Sequence, residues 1–342
     1  MSSSGRKPWP PEDLWARFSL PVPTLVQRIP SGQSKAQVFR IQTPLAEWAL
    51  KASSQTSKQN RSYLSPHELL KKANLLNPEF IPNLPLISWV SYLGFHWELV
   101  PWIVGEHRLW NQMSEDLWTA AAQTLERVHQ SLALAGGQSV LPFGNSKAFQ
   151  IRFQVLQNAK ADLSNRQLPW PSVFVGHPSW RDVHSCLTES VDLALLDLNR
   201  REKERVRLQP IHGDPHLGNW FWTGNQPKGL IDYLCPFDPI EADLARLGGS
   251  HVKDSFSVIT RVCAEYKKQV DLAPQKNMGP QKNLAPQENL ALELAYSGLV
   301  ARLFRWRQWF ENEPNQCLAA LDRVTEIVGQ IPSAFTWRKQ QG

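Results

Sequence analysis

Short runs of apolar and β-branched residues dominate the first third of the chain. They cover residues 25–29, 36–41 and 47–52, and turn-forming residues lie between them. Runs of this length and composition are typical of β-strands, so three in succession predict an antiparallel sheet. The Pro- and Ser-rich residues 1–21 lack such a pattern and are expected to lie over the surface.

A helical pattern follows a loop rich in Ser, Gln and Lys. Ser65 suits the N-cap, Pro66 suits the first helical position, and Glu68 completes a capping-box pattern. A helix is therefore predicted from this point to about Leu76. Strands interrupted by proline are expected next, over residues 81–103.

The rest of the chain is mainly helical in its pattern. Apolar residues recur at spacings of three and four over 117–128, and a less regular helical region covers 147–207. Residues 209–249 have the pattern of a β-hairpin, and helices are predicted over 250–340. A hexapeptide repeated three times over 272–291 interrupts them. Its Pro and Gly residues disfavour a regular helix, so we expect a flexible surface loop there.

Composition narrows the class of protein. Of the 342 residues, 42% are apolar and 20% are charged, which is typical of a globular chain large enough for two lobes. No apolar run reaches the roughly 18 residues that a membrane span needs. The N-terminus has no apolar segment of a secretory signal, so a cytoplasmic protein is expected. The four cysteines are widely dispersed and are expected to be reduced thiols.

The net charge of +6 leaves a binder of nucleic acid or of a membrane surface open as one alternative. The basic residues are spread out, however, and stand beside acidic ones, as in residues 200–205. Mixed charge of this kind is typical of a solvated helix face. We therefore expect neither a nucleic acid nor a membrane as partner.

The residues that carry chemistry lie in one block, residues 211–245, which contains the sequence HGDPHLGN. Apolar residues precede Asp214, follow Asn219 and precede Asp232, so three buried backbone runs are predicted, with polar residues emerging together at one end. Phosphoryl transfer needs oxygen ligands for Mg²⁺ and a carboxylate that positions the attacking hydroxyl and accepts its proton. Two aspartates and an asparagine meet that minimum.

HGDPHLGN followed by IDY resembles the motif of the aminoglycoside phosphotransferases and of their relatives, the choline, homoserine and fructosamine kinases. These enzymes share the protein-kinase-like fold, in which the catalytic Asp and Asn are also five positions apart. The resemblance implies that Asp214 is the catalytic base, with His212 bracing the catalytic loop, and that Asn219 and Asp232 bind Mg²⁺. It also implies that Asp243 bonds the backbone near the loop.

The N-terminal part extends the resemblance. Residues 30–34 occupy the place of the phosphate-covering loop, so Ser31 and Gly32 are expected to bind nucleotide phosphates, with backbone N–H groups as donors. Lys51 stands where the family has its phosphate-binding lysine. Glu68 is the candidate for the glutamate that holds this lysine, and its capping-box role is the competing interpretation.

The implied architecture is α+β and bilobal, with a small antiparallel-sheet N-lobe (22–98) and a mostly helical C-lobe (99–342). Residues 98–101 resemble the hinge between the lobes, so Glu98 and Val100 are expected to bind adenine through their backbone. ATP would lie in the cleft. The predicted reaction transfers the γ-phosphoryl group of ATP, with Mg²⁺, to a hydroxyl of a small molecule such as a sugar or an amino alcohol.

The balance of charge near the C-terminus helps to predict the class of acceptor. Residues 293–342 carry six Lys or Arg against five Asp or Glu, whereas a polycationic aminoglycoside favours a negative pocket. We therefore expect a different acceptor. Trp306 and Trp309 lie on a late helix that lines the acceptor site in the family, although for any single tryptophan a place in the core is the favoured interpretation. A catalytically inactive nucleotide-binding scaffold of the same fold is the main alternative.

Overall fold

Two lobes make up the part of the chain that the computed structural model describes. That part comprises residues 8–30, 36–54, 66–76, 88–136, 143–164, 170–202, 204–249, 255–272, 286–312 and 321–341. The N-lobe is built on a five-stranded antiparallel sheet, and the C-lobe is mostly helical, with short strand pairs around one loop cluster. This α+β, bilobal architecture confirms the predicted fold class.

The N-lobe sheet confirms the three strands predicted from the first part of the sequence. Its order is β1-β2-β3-β5-β4, and all neighbouring strands are antiparallel. Successive side chains point to opposite faces of a strand, so Phe39 and Ile41 of β2 and Leu50 of β3 are buried together. The strands are β1 (Leu25–Ile29), β2 (Gln37–Gln42), β3 (Glu47–Ser54), β4 (Ser88–Tyr92) and β5 (Phe95–Pro101).

A short N-terminal helix, α1 (Leu14–Arg17), packs against this sheet. Trp15 and Phe18 are buried in one apolar cluster with Phe39. Aromatic side chains bury about 150–250 Å² each, so such contacts add substantially to a small core. The expectation that residues 1–21 lie over the surface is therefore wrong for this helix, which belongs to the core of the N-lobe.

The connection between the lobes has two parts. Helix α2 (Pro66–Leu76) has the predicted position, and it packs against the C-lobe helix α3 through Leu69, Leu70 and Ala73. The chain then leaves the sheet at the end of β5, so the boundary expected at residue 98 falls inside a strand. Beyond β5, Glu106 forms an isolated bridge to Trp222 of the C-lobe, with N–O distances of 2.9 Å in both directions.

The C-lobe core surrounds helix α9, which contacts the helices α4, α6, α7, α8 and α10. Ser114 caps α3 by accepting from the backbone N–H of Leu117 at 3.4 Å. No helix among the described residues combines the length and apolar character that crossing a membrane requires. The helices are α3 (Glu115–Ala135), α4 (Lys147–Ser164), α5 (Ser172–Val175), α6 (Trp180–Glu202), α7 (Ile240–Gly248), α8 (Ser255–Leu272), α9 (Glu288–Asn312) and α10 (Leu321–Gln340).

Two predictions about the C-lobe need correction. Residues 209–249 are only partly hairpin-like, because Ile240–Gly248 form helix α7. The loop predicted for residues 272–291 does not extend to residue 291, because α9 begins at Glu288 and buries Leu290 and Ala291. Residues 273–285, which hold most of the repeat, lie outside the described residues.

Candidate active site

Three short antiparallel strand pairs frame the HGDPHLGN loop. They are β6 (Phe143–Gly144) with β7 (Val206–Arg207), β8 (Gln209–Pro210) with β11 (Phe237–Asp238), and β9 (Trp220–Thr223) with β10 (Gln226–Leu230). Between the last two pairs, the loops 211–219 and 231–236 run side by side. Ile231 N donates to Asn219 O at 3.0 Å and Leu234 N donates to His212 O at 2.9 Å. The two loops thus meet, as the apolar pattern predicts.

Gly213 is required by the backbone of this loop. Its φ is +95°, a conformation that side chains disfavour, and a Cβ there would lie 2.7 Å from Pro236 Cδ and 2.9 Å from Leu234 Cβ. The buried side chain of Asp243 binds the backbone of the same turn. Its two carboxylate oxygens accept from His212 N at 2.8 Å and from Gly213 N at 2.9 Å, which confirms the expected structural role of Asp243.

His212 is fully buried behind the loop. Its Nδ1 accepts from Asp214 N at 3.1 Å, so its Nε2 carries the proton and donates to Ile231 O at 2.9 Å. Burial is the largest cause of the lowered pKa of His212, and the lowered pKa favours this neutral form. A buried ring cannot touch a substrate, so His212 can act only by positioning the loop, which is the bracing role that the resemblance implies.

Asp214 points its carboxylate to the open side of the loop, where the side chain is 31% exposed. Arg246 Nε donates to Asp214 Oδ1 at 2.6 Å, and His216 Nε2 lies 3.7 Å from Oδ2. Partial burial acts to raise the pKa of Asp214, but Arg246 and His216 outweigh it, so the pKa lies below its usual value. The carboxylate is therefore ionised at neutral pH.

Asn219 and Asp232 lie on the two neighbouring loops, where Ile231 N donates to Asn219 O at 3.0 Å. Asn219 Nδ2 donates to Asp214 O at 2.8 Å, which leaves Oδ1 as the acceptor end of the amide. Asp232 has a left-handed backbone, with φ at +61°, which is uncommon for a residue other than glycine. Strain of this kind persists where the surroundings over-determine the backbone, and it often occurs at functional sites.

Lys51 reaches this group from the other lobe. Its Nζ lies 2.5 Å from Asp232 Oδ1, a contact between β3 of the N-lobe and the loop after β10 of the C-lobe. The two residues are 181 positions apart in sequence. The structure thus brings together four of the residues singled out from the sequence: Lys51, Asp214, Asn219 and Asp232.

The other N-lobe candidates stay predictions. Glu68 lies in the first turn of α2 with its side chain exposed. Glu98 pairs with Lys51 on one side and Trp89 on the other, so its backbone lies inside the sheet. Of the two expected adenine ligands, Val100 is thus nearer the point where the chain leaves the sheet. Ser31 and Gly32 lie outside the described residues.

Two residues beside Asp214, His216 and Arg246, were not predicted from the sequence as part of the site. His216 looks like a loop histidine in the sequence, yet its Nδ1 accepts from Gly218 N at 3.1 Å and its ring lies beside Asp214. Arg246 follows Asp243 by three positions on α7, so both side chains project from neighbouring points of one helix face. That spacing is a signal from which Arg246 could have been found.

A sequence model of the phosphotransferase enzyme family matches residues 25–270, well over half of the chain. No curated protein sequence matches significantly. Three solved structures similar to this one illustrate the fold. The spectinomycin phosphotransferase APH(9)-Ia, in complex with ADP and spectinomycin, has a TM-score of 0.64 at 13% identity, over 93% of this chain and 94% of its own.

An aminoglycoside phosphotransferase from Alicyclobacillus acidocaldarius has a TM-score of 0.59 at 16% identity, covering 98% of this chain and 97% of its own. The macrolide 2'-phosphotransferase MphH from Brachybacterium faecium has a TM-score of 0.52 at 12% identity, covering 93% and 96%. At such identities the likeness shows the fold alone, whereas the match of the family model covers the catalytic loop and both lobes. The chain therefore belongs to the phosphotransferase enzyme family.

Proposed function

We propose that this protein transfers the γ-phosphoryl group of ATP to a hydroxyl group of a small molecule. One observation carries the proposal: Lys51 of the N-lobe contacts Asp232 of the C-lobe, beside the loop that bears Asp214 and Asn219. A lysine, a potential metal-binding pair and an ionised carboxylate are the parts that phosphoryl transfer requires.

Asp214 acts in this proposal as the residue that orients the acceptor hydroxyl and accepts its proton. Its lowered pKa keeps it ionised at neutral pH, and its partial exposure lets a substrate approach. His212 accepts a hydrogen bond from the backbone N–H of Asp214, and Asn219 donates one to its carbonyl oxygen. The base therefore needs little rearrangement, which favours in-line attack on the phosphoryl group.

Asn219 and Asp232 are suited to Mg²⁺. The amide Oδ1 of Asn219 and the half-exposed carboxylate of Asp232 are hard oxygen donors, and Mg²⁺ typically takes one or two protein ligands together with substrate phosphates. Within the described ranges, no group of three or more His, Cys, Asp or Glu side chains is arranged to hold a metal ion by itself. When bound, Mg²⁺ neutralises charge on the phosphates.

The nucleotide is expected in the cleft between the lobes. Lys51 would bind phosphate oxygens there, with Glu68 holding the lysine and with Ser31 and Gly32 above the phosphates. The backbone after β5, at or beyond Val100, would bind adenine. ADP in the structure of the spectinomycin phosphotransferase supports an adenine nucleotide as the donor.

Asp214→Ala tests the proposal. We expect it to lower kcat by about 10²–10⁴-fold, because the group that accepts the proton is lost, while leaving nucleotide binding nearly unchanged. Transfer would be measured with γ-labelled ATP and a panel of sugars, amino alcohols and hydroxy acids, and binding with AMP-PNP and Mg²⁺. Asp232→Ala should weaken the binding of the Mg²⁺–nucleotide complex as well.

Asp192→Ala is the matched control, because Asp192 forms an ion pair with Lys160 on the surface and should not affect transfer. An Asp214→Ala protein that transfers phosphate at the wild-type rate would overturn the proposal. A wild-type protein that binds AMP-PNP but gives no transfer would favour the inactive scaffold instead.

A further inference from the structure

Four arginine side chains gather beside Asp214 on the C-lobe. Arg246 comes from α7, Arg152 from α4, and Arg302 and Arg305 from α9. Arg246 bonds Asp214 directly at 2.6 Å, and the charges of Arg246, Arg152 and Asp214 all act on Arg302. We call these four residues the arginine cluster. It adjoins the carboxylate that would receive the acceptor hydroxyl.

The surroundings of Gly249 and Gly298 show where Arg302 and Arg152 lie. Gly249 caps the end of α7, and a Cβ built on it would lie 3.6 Å from Arg302 Nη2. Arg302 Nε in turn donates to Gly298 O at 3.3 Å. A Cβ on Gly298 would lie 3.3 Å from Arg152 Cζ, and Arg152 Nη1 donates to Leu294 O at 2.8 Å. Arg152 and Arg302 are thus held beside one another by neutral carbonyl groups.

The charges in the cluster repel each other. The pKa of Arg302 is lowered to about 9, first by burial and then by the charges of Arg246 and Arg152. The pKa of Arg152 is lowered to about 10 by burial and, against the opposing effect of Asp238, by Arg305 and Arg246. The pKa of Arg305 is lowered too, by burial and Arg246. All of them stay protonated at neutral pH, so their mutual repulsion is present in the folded protein.

The carboxylates nearby offset this repulsion only in part. Asp214 is engaged by Arg246, and Asp238 accepts from Ala148 N at 3.1 Å and from Ser146 Oγ. Glu326 acts to raise the pKa of Arg302, yet the net pKa of that guanidinium is still lowered. An additional anion would therefore stabilise the cluster.

A structural arginine elsewhere in the same lobe behaves differently. Arg338 binds both oxygens of the buried Asp197, at 2.8 and 2.6 Å, and the bond to Asp197 raises its pKa. The cluster also differs in being accessible to solvent, because Arg305 is exposed and Arg152, Arg246 and Arg302 are partly exposed. Each of the four side chains therefore keeps part of its surface in solvent.

We propose that Arg152, Arg246, Arg302 and Arg305 bind an acidic group of the acceptor, so that the acceptors are hydroxyl compounds that also carry a phosphate or a carboxylate. This inference rests on the proposed function. Guanidinium groups suit both kinds of oxyanion, because their N–H donors form parallel pairs of hydrogen bonds with them. A polycation would meet repulsion at the same place.

Binding of inorganic phosphate tests the cluster separately from catalysis. The protein would first be saturated with AMP-PNP and Mg²⁺, which occupies the nucleotide phosphate site, and phosphate would then be titrated by calorimetry. We expect Arg302→Gln and Arg305→Gln each to weaken phosphate binding by about tenfold, since each removes a charged donor. Arg302→Lys keeps the charge and should retain part of the affinity. Melting curves would establish that each variant folds.

Arg200→Gln is the matched control. Arg200 is a surface arginine, 54% exposed and paired with Glu293, so its loss changes the net charge of the protein equally without altering the cluster. Phosphate binding in this variant should equal that of the wild type. The inference would be overturned if the wild type bound no phosphate. It would also be overturned by an adventitious ion only, that is, by phosphate that binds the folded Arg302→Gln and Arg305→Gln variants as tightly as the wild type. An equal loss of affinity in Arg200→Gln would overturn it as well.

The acceptor class follows from transfer of labelled phosphate to a matched sugar series: glucose, glucose 6-phosphate, glucuronate and glucosamine. We expect kcat/KM to be at least about tenfold higher for the two acidic sugars, and this preference to fall in Arg302→Gln. Equal kcat/KM values for the acidic sugars and for glucose would overturn the acceptor class but leave phosphotransfer established. Failure to bind AMP-PNP, with no transfer to any compound, would instead disprove the proposed function.

Discussion

The two sides of the catalytic loop differ in burial and in charge. The back of the loop is almost inaccessible and fully hydrogen-bonded; its members are His212 (0% exposed), Asp243 (1%), His129 (1%) and Tyr266 (2%). The front is half-open and made of ion pairs; its members are Asp214 (31%), Asp232 (44%), Lys51 (33%) and Arg246 (28%).

Because of this difference, the two sides contribute unequally to the stability of the fold and to the proposed reaction. At the back, Asp243 binds two backbone N–H groups of the loop and His129 Nε2 at 2.8 Å, and His129 Nδ1 bonds Tyr266 Oη at 2.9 Å. Buried groups of this kind are costly to leave without a partner. Half-exposed ion pairs contribute little to stability, so the front can be changed with small effects on folding. The back therefore sets the backbone, and the front presents the reactive groups.

The largest effect on stability is expected from Asp243→Ala. It leaves His212 N, Gly213 N and His129 without their acceptor, so we expect a loss of about 3–5 kcal/mol in the free energy of unfolding, together with loss of transfer. Urea denaturation would measure it. Asp192→Ala, which removes only a surface ion pair, should change stability by less than about 1 kcal/mol. Equal losses in the two variants would contradict the assignment of the back as structural.

A smaller loss is expected from Gly213→Ala. The new Cβ would meet the ring of Pro236 at 2.7 Å, in a backbone with φ at +95°, so we expect a loss of about 1–3 kcal/mol and a displaced Asp214. Gly94→Ala is the matched control, because Gly94 also has a positive φ, +79°, but a Cβ there has nothing within 4 Å. The difference between the two variants measures the clash, and transfer should fall in Gly213→Ala alone.

The smallest change in stability is expected from Arg246→Gln, at the front. Arg246 is a main cause of the lowered pKa of Asp214, so its removal raises that pKa. In the proposed function the ionised carboxylate is the active form, so we expect activity to be lost as pH falls through its pKa, and in the variant this loss should begin at higher pH. A profile of kcat against pH would show it, with melting temperature nearly unchanged. An acid limb at the wild-type position would show that Arg246 does not control the base.

The sequence predicts much of this molecule because the relevant signals are local. Short runs of apolar and β-branched residues between turns identify β1 to β3, and capping residues identify the start of α2. The same holds for the catalytic loop, where Asp214 and Asn219 are separated by five positions and flanked by apolar strands. The roles of Glu68, Glu98, Val100, Ser31 and Gly32 stay predictions, because they depend on a nucleotide in the cleft.

Other features depend on contacts between distant parts of the chain. The contact of Asp232 with Lys51 arises only when the two lobes are in place, since no local preference brings these residues together. The burial of α1 against the sheet is of the same kind. The candidate reactive groups could be predicted from the sequence alone, because strand composition and loop motifs are short-range properties. Which charges lie next to one another depends on the tertiary structure, because the arginine cluster draws on three helices whose convergence depends on how the whole C-lobe core packs.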